Sequence, residues 1–266
     1  MKISIITASY NSAKTIADTV RSVANQSHKD IEHLIVDGLS VDETIETLEA
    51  NSHPNLIVIS ERDKGIYDAM NKGFKIASGE VIGFLNSDDY YADGSVLEKI
   101  SSAFDDPSVE ACYADLVYIS SDNRRVVRLW KSKNYSSGDF SKGWCPAHPT
   151  FYVRRSALER LGLFDTSFSL AADVEFMMRY LEAGKIKSIY IPDVLVNMRL
   201  GGATNQSWRN IIRQNKEIFV ALKKNKISFN PLIFILRKIF SRFSQYLGAL
   251  ISYGDAVILQ AEKKTP

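Results

Sequence analysis

The 266-residue chain predicts an α/β protein: a doubly wound, mostly parallel sheet flanked by helices, followed by a C-terminal amphipathic helical extension. Three observations carry that expectation. Short β-branched runs alternate with segments of helical periodicity through the first hundred residues, acidic or polar residues follow each run, and positive charge gathers late in the chain. With 45% hydrophobic residues, only 14 Gly and 7 Pro, and no repeated period, the composition suits a packed core and excludes fibrous, solenoid and disordered classes.

Each element follows in order. Ile3 to Thr7 reads as a strand buried on both faces. From Ala13 to Gln26, Ile16, Ala17, Val20 and Val23 recur at helical spacing, and Glu32 to Asp37 returns to a strand. Val41 to Asn51 then reads as a helix, Leu56 to Ser60 as a strand, Ile66 to Ala77 as a helix and Glu80 to Leu85 as a strand. A further helix is expected over Val174 to Ala183, with Asp173 near its start and Gly184 near its end.

Ligands of such sheets bind beyond the carboxyl ends of the strands. The residues there are Thr7-Ala8-Ser9-Tyr10-Asn11, Asp37-Gly38, Glu61-Arg62-Asp63-Lys64-Gly65 and Asn86-Ser87-Asp88-Asp89. One Asp after a strand is commonly a turn former or cap, but acids at three strand ends point to a shared site. The first loop has no glycine, and neither G-x-x-x-x-G-K-[ST] nor G-x-S-x-G occurs, so Rossmann, P-loop and α/β-hydrolase chemistry are not expected. Asp88 and Asp89, adjacent at a strand end, point to opposite sides and can serve different ligands, one of them holding Mg²⁺ or Mn²⁺, a cation that neutralises a departing diphosphate.

IITASYN, VDGLSVDET, SERDKGIYDAMNKGF, FLNSDDY, CPAHPTFYVRRSAL, GLFDTSFSLAADVEF and NMRLGGAT together resemble the inverting family-two glycosyltransferases of the GT-A fold, over about residues 1 to 205. The resemblance implies a nucleotide pocket with Thr7, Ser9, Tyr10, Asp37, Asp63 and Asp68, in which Asp37 accepts a hydrogen bond from uracil. It also implies Asp88 near ribose or metal, Asp89 as the direct metal ligand, and Asp173 as the base that deprotonates the acceptor hydroxyl. Lys64 and Asn71 belong to the same motif; Lys64 is either near the phosphates or a solvated turn residue. Glu175 rivals Asp173, and an N-cap role is also open to Asp173. His148 either lines the acceptor or diphosphate side or is a structural histidine, and Arg199 either reaches the diphosphate or is a surface arginine. Cys145-x-x-His148 has no second pair and does not make a zinc site.

The expected organisation is a catalytic domain over 1–208, with a nucleotide-sugar half (1–100) and an acceptor half (101–208), then a basic tail over 209–266. Residues 1–208 hold 22 basic and 28 acidic side chains, whereas residues 209–242 hold nine and one. An acidic body argues against nucleic acid as a partner, and the basic tail suits an anionic membrane. In the tail, Leu232, Ile235, Leu236, Ile239, Phe240, Phe243, Tyr246, Leu247 and Leu250 share one helix face opposite Arg237, Ser241, Gln245 and Gly248. Its longest apolar run is too short to span a bilayer, leaving a membrane-interface helix or one packed on protein, in the same chain or in a homodimer. Two cysteines and no leader-like N-terminus favour the cytoplasm.

The expected activity is transfer of a hexose from a nucleotide sugar, UDP-linked, to a lipid-linked or saccharide acceptor of a surface polysaccharide at the inner membrane face. A sugar-1-phosphate nucleotidyltransferase and a noncatalytic sugar-nucleotide scaffold are the alternatives, separated by whether UDP, pyrophosphate or nothing is released.

Overall fold

A computed structural model describes residues 1–120, 125–200 and 208–253. The first half alternates as the sequence pattern requires: β1 (Ile3–Ser9), α1 (Ile16–Ala24), β2 (Ile31–Asp37), α2 (Thr44–Ala50), β3 (Leu56–Ser60), α3 (Ile66–Ile76) and β4 (Val81–Phe84). Then come β5 (Tyr90–Tyr91), α4 (Val96–Ala103), β6 (Ala111–Ile119), β7 (Val126–Trp130), β8 (Tyr152–Arg154), α5 (Arg155–Leu161), α6 (Ala172–Met178), β9 (Ser188–Arg199), α7 (Trp208–Lys224) and α8 (Pro231–Tyr253). Among the described residues the strands form one sheet in the order β3-β2-β1-β4-β8-β6-β9-β5, with β7 on β6.

The strands β3, β2, β1 and β4 are mutually parallel, so their carboxyl ends emerge along one edge, with Ser9 opposite Asp37 and Asp37 opposite Ser60. β1 and β2 are buried along their whole length, as continuous apolar runs covered on both faces must be, whereas β3 at the sheet edge is half exposed. The second half departs from the parallel pattern: β8 runs antiparallel to β4 and β6, β7 antiparallel to β6, and β5 antiparallel to β9, giving a mixed sheet. Gly83 is where the two halves close on each other. A Cβ there would lie 2.0 Å from the Tyr152 ring, so only glycine lets that ring cross β4.

Glu32 ties β1, β2 and the loop before β4 together. It accepts from the hydroxyls of Ser4 (2.5 Å) and Ser78 (2.7 Å) and from the Gly79 amide (3.2 Å), and pairs with Lys2 at 3.0 Å. Burial pushes its carboxyl up, but these donors outweigh burial and bring it down to about 2.

The helix expected over Val174 to Ala183 is α-helical only through Met178 and continues as a π-helical turn over Arg179–Ala183. Asp173 is not its N-cap. Ala171 holds that position, and the amides of Ser169, Leu170 and Ala171 are answered by Glu217 of α7 at 3.0, 2.8 and 3.1 Å. Through Ile218, Ala221 and Leu222, α7 belongs to the same apolar cluster as α6 and β4.

Helix α8 packs against the domain with the opposite face from the one its periodicity suggests. Phe234 and Ala249 are buried, and Lys238, Ser241, Arg242 and Gln245 turn inward to line a cavity. Leu236, Ile239, Phe240, Phe243, Leu250 and Ile251 face outward, with Phe240 72% and Ile251 83% exposed. No helix among the described residues is long and apolar enough to cross a membrane.

Candidate active site

Two adjoining recesses lie at the carboxyl edge of the parallel strands. The first is an open cleft bordered by Tyr10, Gly38, Leu39, Arg62 and Asp63. Asp37, the residue before Gly38, is fully buried and lines neither recess, accepting from the Ser40 amide (2.9 Å) and from the hydroxyls of Ser40 (2.5 Å) and Ser60 (2.8 Å). Asp63 accepts from the Gly65 amide at 2.8 Å, and Asp68 from the Lys64 amide at 3.0 Å, which fixes the turn into α3. A Cβ on Gly38 would sit 2.5 Å from an Asp63 carboxylate oxygen, so glycine is what lets that acid fold over the β2 end. Tyr10 is exposed at the rim, and Ser9 has a buried hydroxyl with no partner among the described residues. Of these, Tyr10 and Asp63 border the cleft and offer a planar polar ring an aromatic side and a carboxylate acceptor, whereas Asp37 and Ser9 lie buried beside it.

Thr7 lies deeper than expected, its hydroxyl 3.0 Å from Nε2 of buried His33. Lys64 is exposed. Asn71 does not face the cleft: its amide donates to the Phe164 carbonyl (2.9 Å) and accepts from the Phe164 amide (3.0 Å), clasping α3 to the segment before α6. Its motif position suggested a nucleotide role, but both of its polar ends are committed to backbone.

The second recess is a cavity of about 330 Å³, reached by Ala8, Asn86, Ser87 and Asp88 from the strand ends, by Tyr67 from α3, and by His148 and Asp173 from the second half. Asp173, in the first turn of α6, accepts a 3.1 Å hydrogen bond from the Tyr67 hydroxyl. The helix N-terminus favours its negative charge. Glu175 faces the other way: it is fully buried, paired with Arg179 at 3.1 Å and Lys224 at 3.5 Å. Two residues apart on one helix, the two acids are thus separated into cavity and core.

His148 lines the cavity, its ring stacked 5.8 Å from Phe84 and edge-on to Phe164. Burial pulls the ring below its ordinary range against the opposing charge of Asp173. Its Nε2 and the Trp144 Nε1–H are buried without partners among the described residues, so each can serve a ligand in the cavity.

The acidic pair is arranged in the reverse of the order expected. Asp89 is wholly enclosed, with its oxygens accepting from the Asn86 amide group (2.7 Å) and the Arg199 backbone N–H (3.2 Å). Asp88 is the one that lines the cavity. Burial raises both carboxyls, that of Asp89 well above the usual range with the neighbouring Asp88 charge adding to it. Arg199 is neither a surface residue nor aimed at a diphosphate. It pairs with Asp18, donates to the Asp88 carbonyl (2.7 Å) and lies 5.0 Å over Tyr90, bracing the acidic loop on β9. The glycines of NMRLGGAT lie outside the described residues.

The donor set beside Asp88 is all oxygen, supplied by Asp88, Asn86 and Ser87, which suits a hard divalent cation. No group of three His, Cys, Asp or Glu side chains able to hold a metal occurs among the described residues. One carboxylate with substrate phosphates completing the shell is the usual way Mg²⁺ is held.

Sequence reasoning did not place Tyr67, Glu217, Trp144 or Arg128 at the site, and it read Lys238 and Arg242 as cations flanking a membrane-facing helix where the structure turns them into the cavity. Tyr67 is in the DKGIYDAMNKG motif, where its ring could have been flagged, whereas the rest act through contacts between distant segments.

The model of glycosyl transferase family 2 matches residues 4–162. An uncharacterized glycosyltransferase of Mycobacterium tuberculosis is 31% identical over 182 residues, covering 66% of this chain and 68% of the relative. A PGL/p-HBAD biosynthesis glycosyltransferase of Mycobacterium bovis is 27% identical over 208 residues, covering 76% and 78%. Among solved structures, S. aureus TarS 1-349 in complex with UDP-GlcNAc superposes with a TM-score of 0.65 at 19% identity over 92% of this chain and 73% of that one. A mannosyltransferase from Pyrobaculum calidifontis in complex with GDP-Man and Mn²⁺ gives 0.65 at 20% identity over 94% and 74%. With its acids gathered at the strand ends and its sequence matched over more than half its length, the chain belongs to glycosyltransferase family 2 and has the GT-A fold.

Proposed function

We propose that the protein transfers a hexose from a UDP-sugar to a lipid-linked or saccharide acceptor of a surface polysaccharide, with inversion at the anomeric carbon. The observation that carries this reading is Asp173: a carboxylate held by Tyr67 on the wall of a cavity whose other wall is the β1 and β4 strand ends. Tyr10 and Asp63 would border the nucleotide, with Asp37 and Ser9 completing its pocket from the adjacent strand ends, and Asp88 would face the diphosphate. A divalent cation, Mn²⁺ or Mg²⁺, bound at Asp88 would neutralise charge on the leaving diphosphate. Asp173 takes the proton of the acceptor hydroxyl as its oxygen attacks the anomeric carbon and the bond to UDP breaks on the opposite side. Tyr67, its own proton held tightly by burial and by the Asp173 charge, remains a donor and orients the base. His148, neutral through burial, has Nε2 available to the incoming sugar.

The outward apolar face of α8, flanked by exposed Arg237, Lys223 and Lys226, supports work at an anionic, cytoplasmic membrane surface. A second copy of the chain is the competing cover for that face. Sedimentation with anionic and neutral vesicles, alongside light scattering without lipid, separates the two.

The test of the reaction is a panel of nucleotide sugars with manganese and a lipid-diphosphate-linked sugar acceptor. UDP release together with a product of inverted anomeric configuration by NMR is expected. Retained configuration would remove the single-displacement role of Asp173, and release of pyrophosphate would make the reaction nucleotidyl transfer.

A further inference from the structure

Beyond Asp173 the cavity is walled by cations. Arg128 of β7 and Lys238 and Arg242 of α8 all line it. Arg128 is only 7% exposed; its guanidinium lies 4.6 Å over Tyr118 and 5.1 Å over Trp130, and its Nε donates to Gln245 at 2.6 Å. Lys238 donates to the Asn215 side-chain oxygen at 2.8 Å and lies 5.7 Å over Phe234. None of the three has an ion pair among the described residues, and Arg242 has no hydrogen bond there either. The acid that shares the cavity with them and bears on Lys238 is Asp173.

Buried cations are ordinarily paired, because an unpaired one forfeits hydration with nothing in return. One buried and two half-buried cations that repel one another around one cavity form an arrangement in need of an anion. The strain is visible in Lys238, whose ammonium burial pulls down to about 8, with Arg242 and Arg128 adding to the shift. Two guanidiniums and an ammonium match a phosphate or diphosphate, which accepts several charge-assisted hydrogen bonds at once.

We infer that Arg128, Lys238 and Arg242 form a subsite for the phosphate or diphosphate of the acceptor substrate, beside the sugar presented to Asp173. The location favours the acceptor over the donor. The cations come from β7 and α8, and none of them borders the nucleotide cleft at Tyr10, Gly38 and Asp63, although Asp88 shares their cavity. The helix that supplies Lys238 and Arg242 inward is also the one that presents Phe240, Phe243 and Leu250 outward, so a lipid anchored beyond α8 would bring its phosphate to this wall. This inference rests on the lipid-linked acceptor proposed above.

The test uses the full chain and a Lys238→Gln, Arg242→Gln double variant, with Arg242→Gln alone as the variant least able to disturb folding. Two acceptors are compared, a farnesyl-diphosphate-linked sugar and the phosphate-free methyl glycoside of the same sugar. The expected result is a tenfold or larger fall in the ratio of kcat/KM for the first over the second. An unchanged ratio, or a rise in donor KM in place of that fall, overturns the inference, the latter by giving the cations to the donor diphosphate. Binding of inorganic pyrophosphate to protein saturated with UDP keeps the site testable even if the wild type uses neither acceptor, an outcome that would count against the lipid-linked acceptor reading. Saturable binding that the double variant loses supports the subsite, and no binding by the wild type overturns it. Pyrophosphate binding with an unchanged acceptor ratio overturns the acceptor assignment and leaves an unrelated anion as the occupant.

Discussion

The two walls of the site differ in how far their polar groups are already answered. At the strand ends nearly every acid has its donors: Asp37 has Ser40 and Ser60, Asp63 has Gly65, Asp68 has Lys64 and Asp89 has Asn86 and Arg199. On the α8 side, Arg128, Lys238 and Arg242 face the cavity without ion pairs among the described residues, and the apolar face of their helix looks outward. The difference teaches a distinction between scaffold and contact. Groups satisfied internally hold a loop in one shape before substrate arrives, whereas unsatisfied ones mark where substrate or surface completes the structure.

Substitutions within the acidic pair sharpen that distinction most. Asp88→Ala should remove the response to added manganese and cost about a hundredfold or more in kcat, as expected for loss of several kcal/mol of leaving-group stabilisation. Asp89→Ala should act first on stability, because it strands the Arg199 amide and the Asn86 side chain, at about 1–3 kcal/mol read from thermal unfolding. An Asp89 variant of wild-type stability that had lost its manganese response would reverse the assignment.

Asn71→Ala probes a residue whose motif suggested the nucleotide and whose bonds go to Phe164. It should lower stability by about 1–3 kcal/mol while calorimetry gives an unaltered affinity for UDP. The Glu32 network should appear in the acid limb of stability. Its carboxyl is lower when folded than its ordinary 4.5, so its contribution is complete above pH 4.5 and is lost as pH falls toward about 2. Glu32→Gln should flatten that limb in pH-dependent denaturation. The smallest stability effect is expected where the membrane effect is greatest: Phe240→Glu with Phe243→Glu should change unfolding by about 0.5 kcal/mol or less, since both side chains are exposed, while abolishing sedimentation with anionic vesicles.

Much of the first half could be read from sequence because its signals are local. Leu56–Ser60 has the bounds its β-branched run suggested, and Ile66–Ile76 ends one residue before the expected end. The mixed second half was less legible, since β7 and β8 are short and β8 finds its partners β4 and β6 across long sequence separations. Periodicity located α8 and its apolar face but could not say which face the domain would take, because Lys238, Ser241 and Gln245 are drawn inward by a cavity assembled from other segments. The same limit explains the acidic pair. Adjacent residues were expected to point apart, but which one faces the cavity is decided by Arg199 and Asn86. Glu217, capping α6 from a helix some forty residues downstream, leaves no mark in local sequence.

The most direct test of the account is a comparison of Asp173→Asn with Glu175→Gln, measuring donor affinity and single-turnover transfer in each. Asp173→Asn should bind the UDP-sugar as the wild type does and lose about 10²–10⁴-fold in rate. Glu175→Gln should lose stability through its buried pairing with Arg179 and keep the chemical step. Normal transfer by Asp173→Asn, or a rate loss confined to a stably folded Glu175→Gln, would contradict the assignment of the cavity carboxylate as the base.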